Sequence, residues 1–246
     1  MHVRPLTRAD IPAVAQVALA AFSKDELYQF LYPKLSTYPD DFRRAQVLHL
    51  RARLVQPGCH GYVAVSDSND DGWDGTSVVL GYAFFQEMGE RLNEATGKKE
   101  SLRPSTDSWA KWFERCLLGC EVALHNRQDR ALDRKNVEQY AMEAASAYPS
   151  YLDMAAYWYI SVLAVHPQHQ RRGVGTKLVR EGKRLASEDG VALTLESSVA
   201  ARRLYEKNGF RITWKGQVCG MEDSAMMWKS SLKAPRKRSI KGHESK

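Results

Sequence analysis

Gln170-Arg171-Arg172-Gly173-Val174-Gly175-Thr176 follows an apolar run and opens a helical pattern. Backbone N–H groups at a helix start have no intrahelical partner, and the helix dipole favours negative charge there. Two glycines let the backbone approach a ligand closely, and two arginines stand beside it. The chemistry this offers is the binding of a phosphate or pyrophosphate. A glycine-rich turn with two solvated arginines is the competing reading of the same residues. A dinucleotide fold would place Gly-x-Gly-x-x-Gly directly after the strand, but a seven-residue turn intervenes and Leu178 stands three beyond Gly175. A P-loop needs Gly-Lys-Ser/Thr, a tripeptide this chain lacks.

His166 and His169 flank the turn, which Pro167 stiffens, and are expected to shape it rather than to catalyse. The four cysteines, Cys59, Cys116, Cys120 and Cys219, have no Cys-x-x-Cys pairing. Cys116 and Cys120 lie four apart in a helical pattern and read as small core residues. A zinc site would need two further ligands close by, so no metal is expected. Reduced thiols in a cytosol-like compartment are the simplest reading.

The elements that must position the turn can be read from periodicity. Residues 157–165, Tyr-Trp-Tyr-Ile-Ser-Val-Leu-Ala-Val, form the clearest strand. Beyond the turn, Gly173–Glu188 is helical, Val191–Glu196 a strand, Ala200–Lys207 a short helix, Phe210–Lys215 a strand, and Ala225–Lys229 a last short one. Upstream, Val3–Thr7 reads as a strand and Asp10 as the cap of a helix with Pro12 in its first turn. Asp41–Val55 reads as a second helix, with the aromatic stretch Phe22–Pro33 as a loop between the two. Gly61–Ser66 and Val78–Gln86 form a hairpin. Trp109, Trp112, Phe113, Cys116, Leu117, Cys120 and Leu124 repeat at helical spacing and read as the core face of a helix, with a lid over a substrate cleft as the alternative for part of it. Another helix covers about Asp133–Tyr148. The alternation of strand and helix in the last third implies a mixed α/β sheet.

Composition narrows the class. The chain has 246 residues, 43% hydrophobic and 26% charged, which is ordinary for a globular protein. Its longest nearly apolar run, Met154–Val165, is twelve residues. A membrane-crossing helix needs about 20, so no membrane span is expected. No secretory signal is visible at Met1-His2-Val3-Arg4-Pro5. Net charge is +7, but six Lys/Arg against one Glu in Ser231–Lys246 supply five of those charges. The body is thus not a nucleic-acid-binding surface by charge. The tail reads as a disordered, solubilising end, with nuclear targeting or weak polyanion binding as the alternatives.

Gln-x-x-Gly-x-Gly after a strand ending in Val-x-Pro resembles the acetyl-coenzyme A signature of the GNAT N-acetyltransferase superfamily. Ala201-Arg-Arg-Leu-Tyr205-Glu-Lys-Asn-Gly209-Phe210 resembles the same superfamily's Ala-x-x-x-Tyr-x-x-x-Gly-Phe segment. The likeness is specific from about Ser161 to Ile212 and weaker at the N-terminus. It implies a mixed α/β fold: a mostly antiparallel central sheet whose central parallel strands splay, flanked by helices, over residues 1–230. A helical insertion near 87–150 is added to it, and the likeness says nothing of that insertion.

The resemblance also implies roles. Gln170, Arg171, Arg172, Gly173, Val174, Gly175 and Thr176 would hold the pyrophosphate of acetyl-CoA, mainly through backbone amides. Leu163, Ala164 and Val165 would pair with the pantetheine arm, and the amide near Leu163 would polarise the thioester carbonyl. Ser198 stands where many members carry a cofactor-bonding Asn, a departure that shortens the reach of that contact. Tyr205 resembles the tyrosine that protonates the leaving thiolate. Glu196, at a strand end, is the expected base that deprotonates the acceptor amine, directly or through water; Glu87 is its rival. Asp25 or Glu26 would bind a cationic acceptor. The expected reaction is direct acetyl transfer in a ternary complex, to the primary amine of a small molecule or, second, of a peptide or protein. A module that only senses coenzyme A or binds a polyanion is the reading from another class. A homodimer is compatible with the sequence.

Overall fold

The computed structural model describes residues 1–70, 73–92, 97–103, 107–147 and 154–229. The basic tail therefore lies outside the described residues. Seven strands form one sheet: β1 (His2–Pro5), β2 (Cys59–Val65), β3 (Val79–Gly89), β6 (Ala156–Val165), β7 (Ala192–Ser198), β8 (Arg211–Val218) and β9 (Met221–Trp228). Their spatial order is β1-β2-β3-β6-β7-β9-β8. Only β6 and β7 run parallel; every other pair in this sheet is antiparallel. β4 (Arg91–Leu92) and β5 (Lys99–Glu100) make a separate two-residue ladder.

Period-two alternation decides which side chains face which layer. On one face, α1 (Ile11–Phe22) and α3 (Pro39–Val55) bury Val14, Ala18 and Phe42 against Val63, Tyr82, Phe84 and Ala164. On the other, α6 (Val174–Asp189) and α7 (Val199–Lys207) bury Leu178, Leu185 and Tyr205 against Phe85, Trp158, Ile160, Leu193 and Leu195.

The parallel pairing decides the architecture. It covers only Tyr157–Tyr159 against Ala192–Thr194, so the two strands part company after Tyr159. A register shift on the other edge of β6 lies near Ser161, whose hydroxyl donates to the Phe84 carbonyl at 3.2 Å. The bulge turns Leu163–Val165 away from the line of β7. The expected splay is present.

Several local expectations are corrected. Asp10 does not cap α1 with its side chain; it accepts from Arg4 at 2.7 and 2.8 Å and from the Thr7 amide at 2.8 Å. Arg4 holds its carboxyl far below the usual carboxylate range. The stretch Phe22–Pro33 is not a plain loop, because Asp25 caps α2 (Glu26–Leu31) by accepting from the Leu27 and Tyr28 amides. The last strand begins at Met221 rather than Ala225.

The largest correction concerns α4 (Trp109–Gln128), which forms where periodicity puts it but turns the opposite face inward. Trp109, Trp112, Phe113, Cys116, Leu117, Cys120 and Leu124 are all exposed, and Leu118 and His125 are buried instead. Leu118 packs with Leu48 and Val55 of α3. Ion pairs, Glu114 with Arg8 and Glu121 with Arg51, tie the polar face down. Helical periodicity fixes a face but not the side of it that faces the protein. The next helix, α5 (Arg134–Ala147), packs beside α2 and β8.

Candidate active site

The splay opens a cleft of about 770 Å³. Leu163, Ala164 and Val165 line one stretch of it, and Gln170, Arg171, Gly173, Val174, Gly175 and Thr176 another. Ser198, Ala200, Ala201, Arg203, Leu204 and Lys207 close the side formed by α7, while Phe22, Lys24 and Asp25 stand at the end of α1. Sequence-distant residues thus meet because β6 ends beside the start of α6.

The turn between them is shaped by local chemistry. Gln170 donates from its side-chain amide to the Val165 carbonyl at 3.2 Å, which fixes the chain's reversal. Arg171 sits at φ 61° and Gly173 at φ 83°, both left-handed. Gly173 is the N-cap of α6 and has no side-chain capping bond. The first hydrogen bond of the helix runs from the Lys177 amide to the Gly173 carbonyl at 3.0 Å. The amides of the first turn, Val174, Gly175 and Thr176, therefore have no intrahelical acceptor, and all three residues border the cleft. Such an array favours an anionic ligand.

The two glycines serve different ends. A Cβ at Gly173 would meet only Met1 Cε, at 4.0 Å, so its need for glycine is the left-handed backbone. A Cβ at Gly175 would come within 3.1 Å of Leu204 Cδ2, so this glycine lets α6 lie close to α7.

Arg172 is exposed and is not on the cleft wall. Three cations that sequence reading did not single out, Lys24, Arg203 and Lys207, are on it. Arg203 and Lys207 sit four apart on α7, a spacing that puts both on one side of a helix; that was the signal available. His166 accepts from the Gln168 amide through Nδ1 at 3.4 Å, and its ring lies 5.6 Å from that of His169. Burial beside His166 and Arg172 lowers the pKa of His169.

Tyr205 and Glu196 are not on the wall of this cleft. Tyr205 is buried among apolar residues, with its ring edge-on to Phe210 at 5.6 Å, and burial pushes its pKa up. Glu196 lies two residues before Ser198, hence on the same face of β7 as that cleft residue. The Tyr159 hydroxyl donates to its Oε2. Burial, and then the Asp223 carboxylate, lifts the Glu196 pKa to about 7.

Asp223 links the two ends electrostatically: its charge bears on Glu196, on Tyr159, on Tyr140 of α5 and on Asp25 in the cleft. Burial pushes the Asp25 pKa up, and Asp223 adds to the rise. Tyr28, Tyr140 and Tyr159 thus stand with Asp25, Glu196 and Asp223 in one aromatic and acidic neighbourhood. Tyr140 brings α5 to this neighbourhood. Glu26 is exposed and does not line the cleft.

Glu87 is committed elsewhere. Its Oε1 meets His60 Nε2 at 2.8 Å and its Oε2 accepts from the Arg103 amide at 3.1 Å. Arg103 in turn meets Asp189, which also accepts from the Trp158 indole at 2.9 Å. Asp189 is the last residue of the sixteen in α6, and a helix of that length puts it about 24 Å from the end that borders the cleft.

Among the described residues no group of three metal-ligating side chains is present, and no helix is long and apolar enough to cross a membrane.

Comparison with known proteins agrees with this architecture. Residues 135–212 match the model of the acetyltransferase (GNAT) domain. A protein of Stachybotrys chartarum named as an acetyltransferase is 24% identical over 204 residues, covering 82% of this chain and 77% of its own. The crystal structure of a Corynebacterium glutamicum protein described as histone acetyltransferase HPA2 and related acetyltransferase superposes with a TM-score of 0.58 at 18% identity, over 94% of this chain and 97% of that one. Arylalkylamine N-acetyltransferase 2 of Aedes aegypti superposes at 0.50 with 12% identity, over 93% and 98%. Residues 135–212 thus match the GNAT acetyltransferase domain, and the fold around them is similar to that of proteins described as acetyltransferases.

Proposed function

We propose that this protein transfers the acetyl group of acetyl-CoA to the primary amine of a small molecule, by direct attack in a ternary complex. The observation that carries the reading is the single cleft joining the unpaired amides of Val174–Thr176 to the splayed edge Leu163–Val165. An anion held at the first and an amide-bearing arm laid along the second suit one extended ligand.

In this reading Gln170 orders the turn, the amides from Gly173 to Thr176 take the pyrophosphate, and Arg171, Arg203 and Lys207 supply positive charge to the phosphates. Ser198 offers one hydroxyl to the arm. The amide near Leu163 polarises the thioester carbonyl, so negative charge developing on that oxygen meets a donor fixed beforehand. Glu196 takes a proton from the acceptor's ammonium, directly or through water, and the freed amine then attacks the thioester carbonyl. A carboxyl that titrates near neutrality is matched to that task. Tyr205 gives its proton to the departing thiolate. Burial makes the phenol a weaker acid, so position rather than acidity supplies its contribution.

A small cationic acceptor is favoured over a peptide by the Asp25 carboxylate on the cleft wall and by the acidic neighbourhood that Asp223 and Glu196 add near it. Residues 1–230 would act as one unit, in a cytosol-like compartment consistent with four free cysteines. A peptide-amine acceptor is the second reading within the enzyme class.

The test is calorimetry with acetyl-CoA together with thiol release across a panel of small amines and N-terminal peptides. Turnover on small amines supports the proposal. Binding without turnover on any acceptor points to a sensor of coenzyme A. Salt-sensitive binding of DNA or RNA that is lost on deleting residues 231–246 points to a polyanion role for the tail.

A further inference from the structure

The outward face of α4 is the feature that acetyl transfer leaves unexplained. Between Trp109 and Leu124 every exposed position is apolar: Trp109, Ala110, Trp112, Phe113, Cys116, Leu117, Gly119, Cys120, Ala123 and Leu124. The charged residues of the span, Lys111, Glu114, Arg115 and Glu121, are each partly buried. Arg115 donates to Asp107 at 2.7 Å and to the Val55 carbonyl at 3.0 Å, Glu121 meets Arg51 at 3.1 Å, and Glu114 meets Arg8. A helix ordinarily turns its charges to water and its apolar stripe to the core. Here the arrangement is inverted, with Trp109 84%, Phe113 59%, Leu117 55% and Leu124 55% exposed.

We infer that this face is the dimer interface of the protein, packed against α4 of a second copy. Size is the first argument. A fully exposed aromatic side chain offers about 150–250 Å², so the three aromatics, two leucines and two cysteines expose roughly 700 Å² of continuous apolar surface. That exceeds the largest patch of an ordinary monomer, about 300–600 Å². It approaches the ~800 Å² that each partner contributes to a standard interface.

Shape is the second. The bulky side chains Trp109, Trp112 and Phe113 crowd one end, while Cys116, Gly119 and Cys120 leave the middle low. A two-fold axis perpendicular to the helix between Cys116 and Leu117 sets two copies antiparallel and self-complementary. Trp109 then meets Leu124 of the partner subunit, Phe113 meets the partner's Cys120, and the low middles let the helices approach closely. A shallow hollow of about 550 Å³ bordered by Asp107, Ser108, Trp109 and Trp112 receives the partner's Leu124.

Charge is the third. The basic tail, six Lys/Arg in sixteen residues, is a poor cover for a face whose exposed residues between Trp109 and Leu124 are all uncharged.

The experiment is light scattering and sedimentation of the full chain over micromolar concentrations, combined with mild oxidation. Wild type is expected at twice the chain mass. Near the two-fold axis the two Cys116 Cα atoms fall within the roughly 4.4–6.8 Å that a disulfide spans, so oxidation should cross-link the dimer through Cys116. Cys116→Ser should abolish the cross-link without dissociating the dimer. Phe113→Lys and Leu117→Lys should each weaken the dimer at least tenfold while thermal melting of the monomer and acetyl-CoA affinity stay unchanged. A wild-type chain that stays monomeric, a dimer insensitive to both lysine substitutions, or cross-linking through Cys59 or Cys219 alone would overturn the inference. So would monomers that sediment with phosphatidylcholine/phosphatidylserine vesicles through Trp109 and Trp112, or that become dimers once residues 231–246 are removed.

Discussion

Replacing Glu196 with Gln is expected to stabilise the protein at alkaline pH and to disable it at every pH. The carboxyl is lifted from an ordinary 4.5 to about 7, by burial first and by Asp223 second. Because the folded value is the higher one, the folded chain holds a proton that the unfolded chain releases between pH 4.5 and 7. Stability contributed at this site therefore falls as pH rises through that window. By pH 8 the loss amounts to about 3 kcal/mol. Glutamine mimics the protonated carboxyl and still accepts from Tyr159, so Glu196→Gln should match wild type near pH 4.5. At pH 8 it should melt about 6–12 °C higher. Turnover should drop about a hundredfold or more, the ordinary contribution of a positioned base.

Differential scanning calorimetry at pH 5 and 8 and thiol release from pH 6 to 9 read both effects. Wild-type kcat should climb through about pH 7 and level off, and the variant should lose that limb. Asp223→Asn, which removes the neighbouring negative charge, should shift the limb to lower pH in an otherwise active enzyme. A limb that persists in Glu196→Gln belongs to the free amine and removes Glu196 from proton transfer. A variant that melts no higher than wild type at pH 8 refutes the reasoning that the anion is poorly solvated where it sits.

Other outcomes follow from the cleft. Tyr205→Phe should lower turnover about tenfold to a hundredfold, with acetyl-CoA affinity by calorimetry unchanged; equal turnover would leave Tyr205 as packing against Phe210. Gly173→Ala should cost roughly 1–2 kcal/mol of stability through its left-handed backbone, seen in urea titration, and weaken acetyl-CoA binding. Gly175→Leu should act otherwise, by forcing Leu204 and α7 away, so that turnover falls along with affinity. Arg203→Ala with Lys207→Ala should weaken acetyl-CoA binding severalfold at low salt and less at high salt, since both cations are on the cleft wall. An affinity that ignores ionic strength would separate these residues from the phosphates.

The turn between β6 and α6 was legible along the chain alone. Gln170, Gly173 and Gly175 stand close along the chain, and a strand followed by a helix has few ways to be joined by them. The clear alternation in residues 157–165 and the 3.6-residue period of α6 and α7 likewise reflect local rules, because backbone geometry sets both periods. Tertiary structure decided what no local rule contains. The face of α4 that turned inward depended on ion pairs to Arg8 and Arg51, more than fifty residues away. The buried Asp10 reached back to Arg4 rather than forward to α1 because the guanidinium offers it two donors at once. The near-neutral titration of Glu196 needs Asp223, which β9 brings alongside β7, and a desolvated surrounding built from several elements. Charge and solvent access are summed over everything nearby in space, and only the folded chain defines what is near.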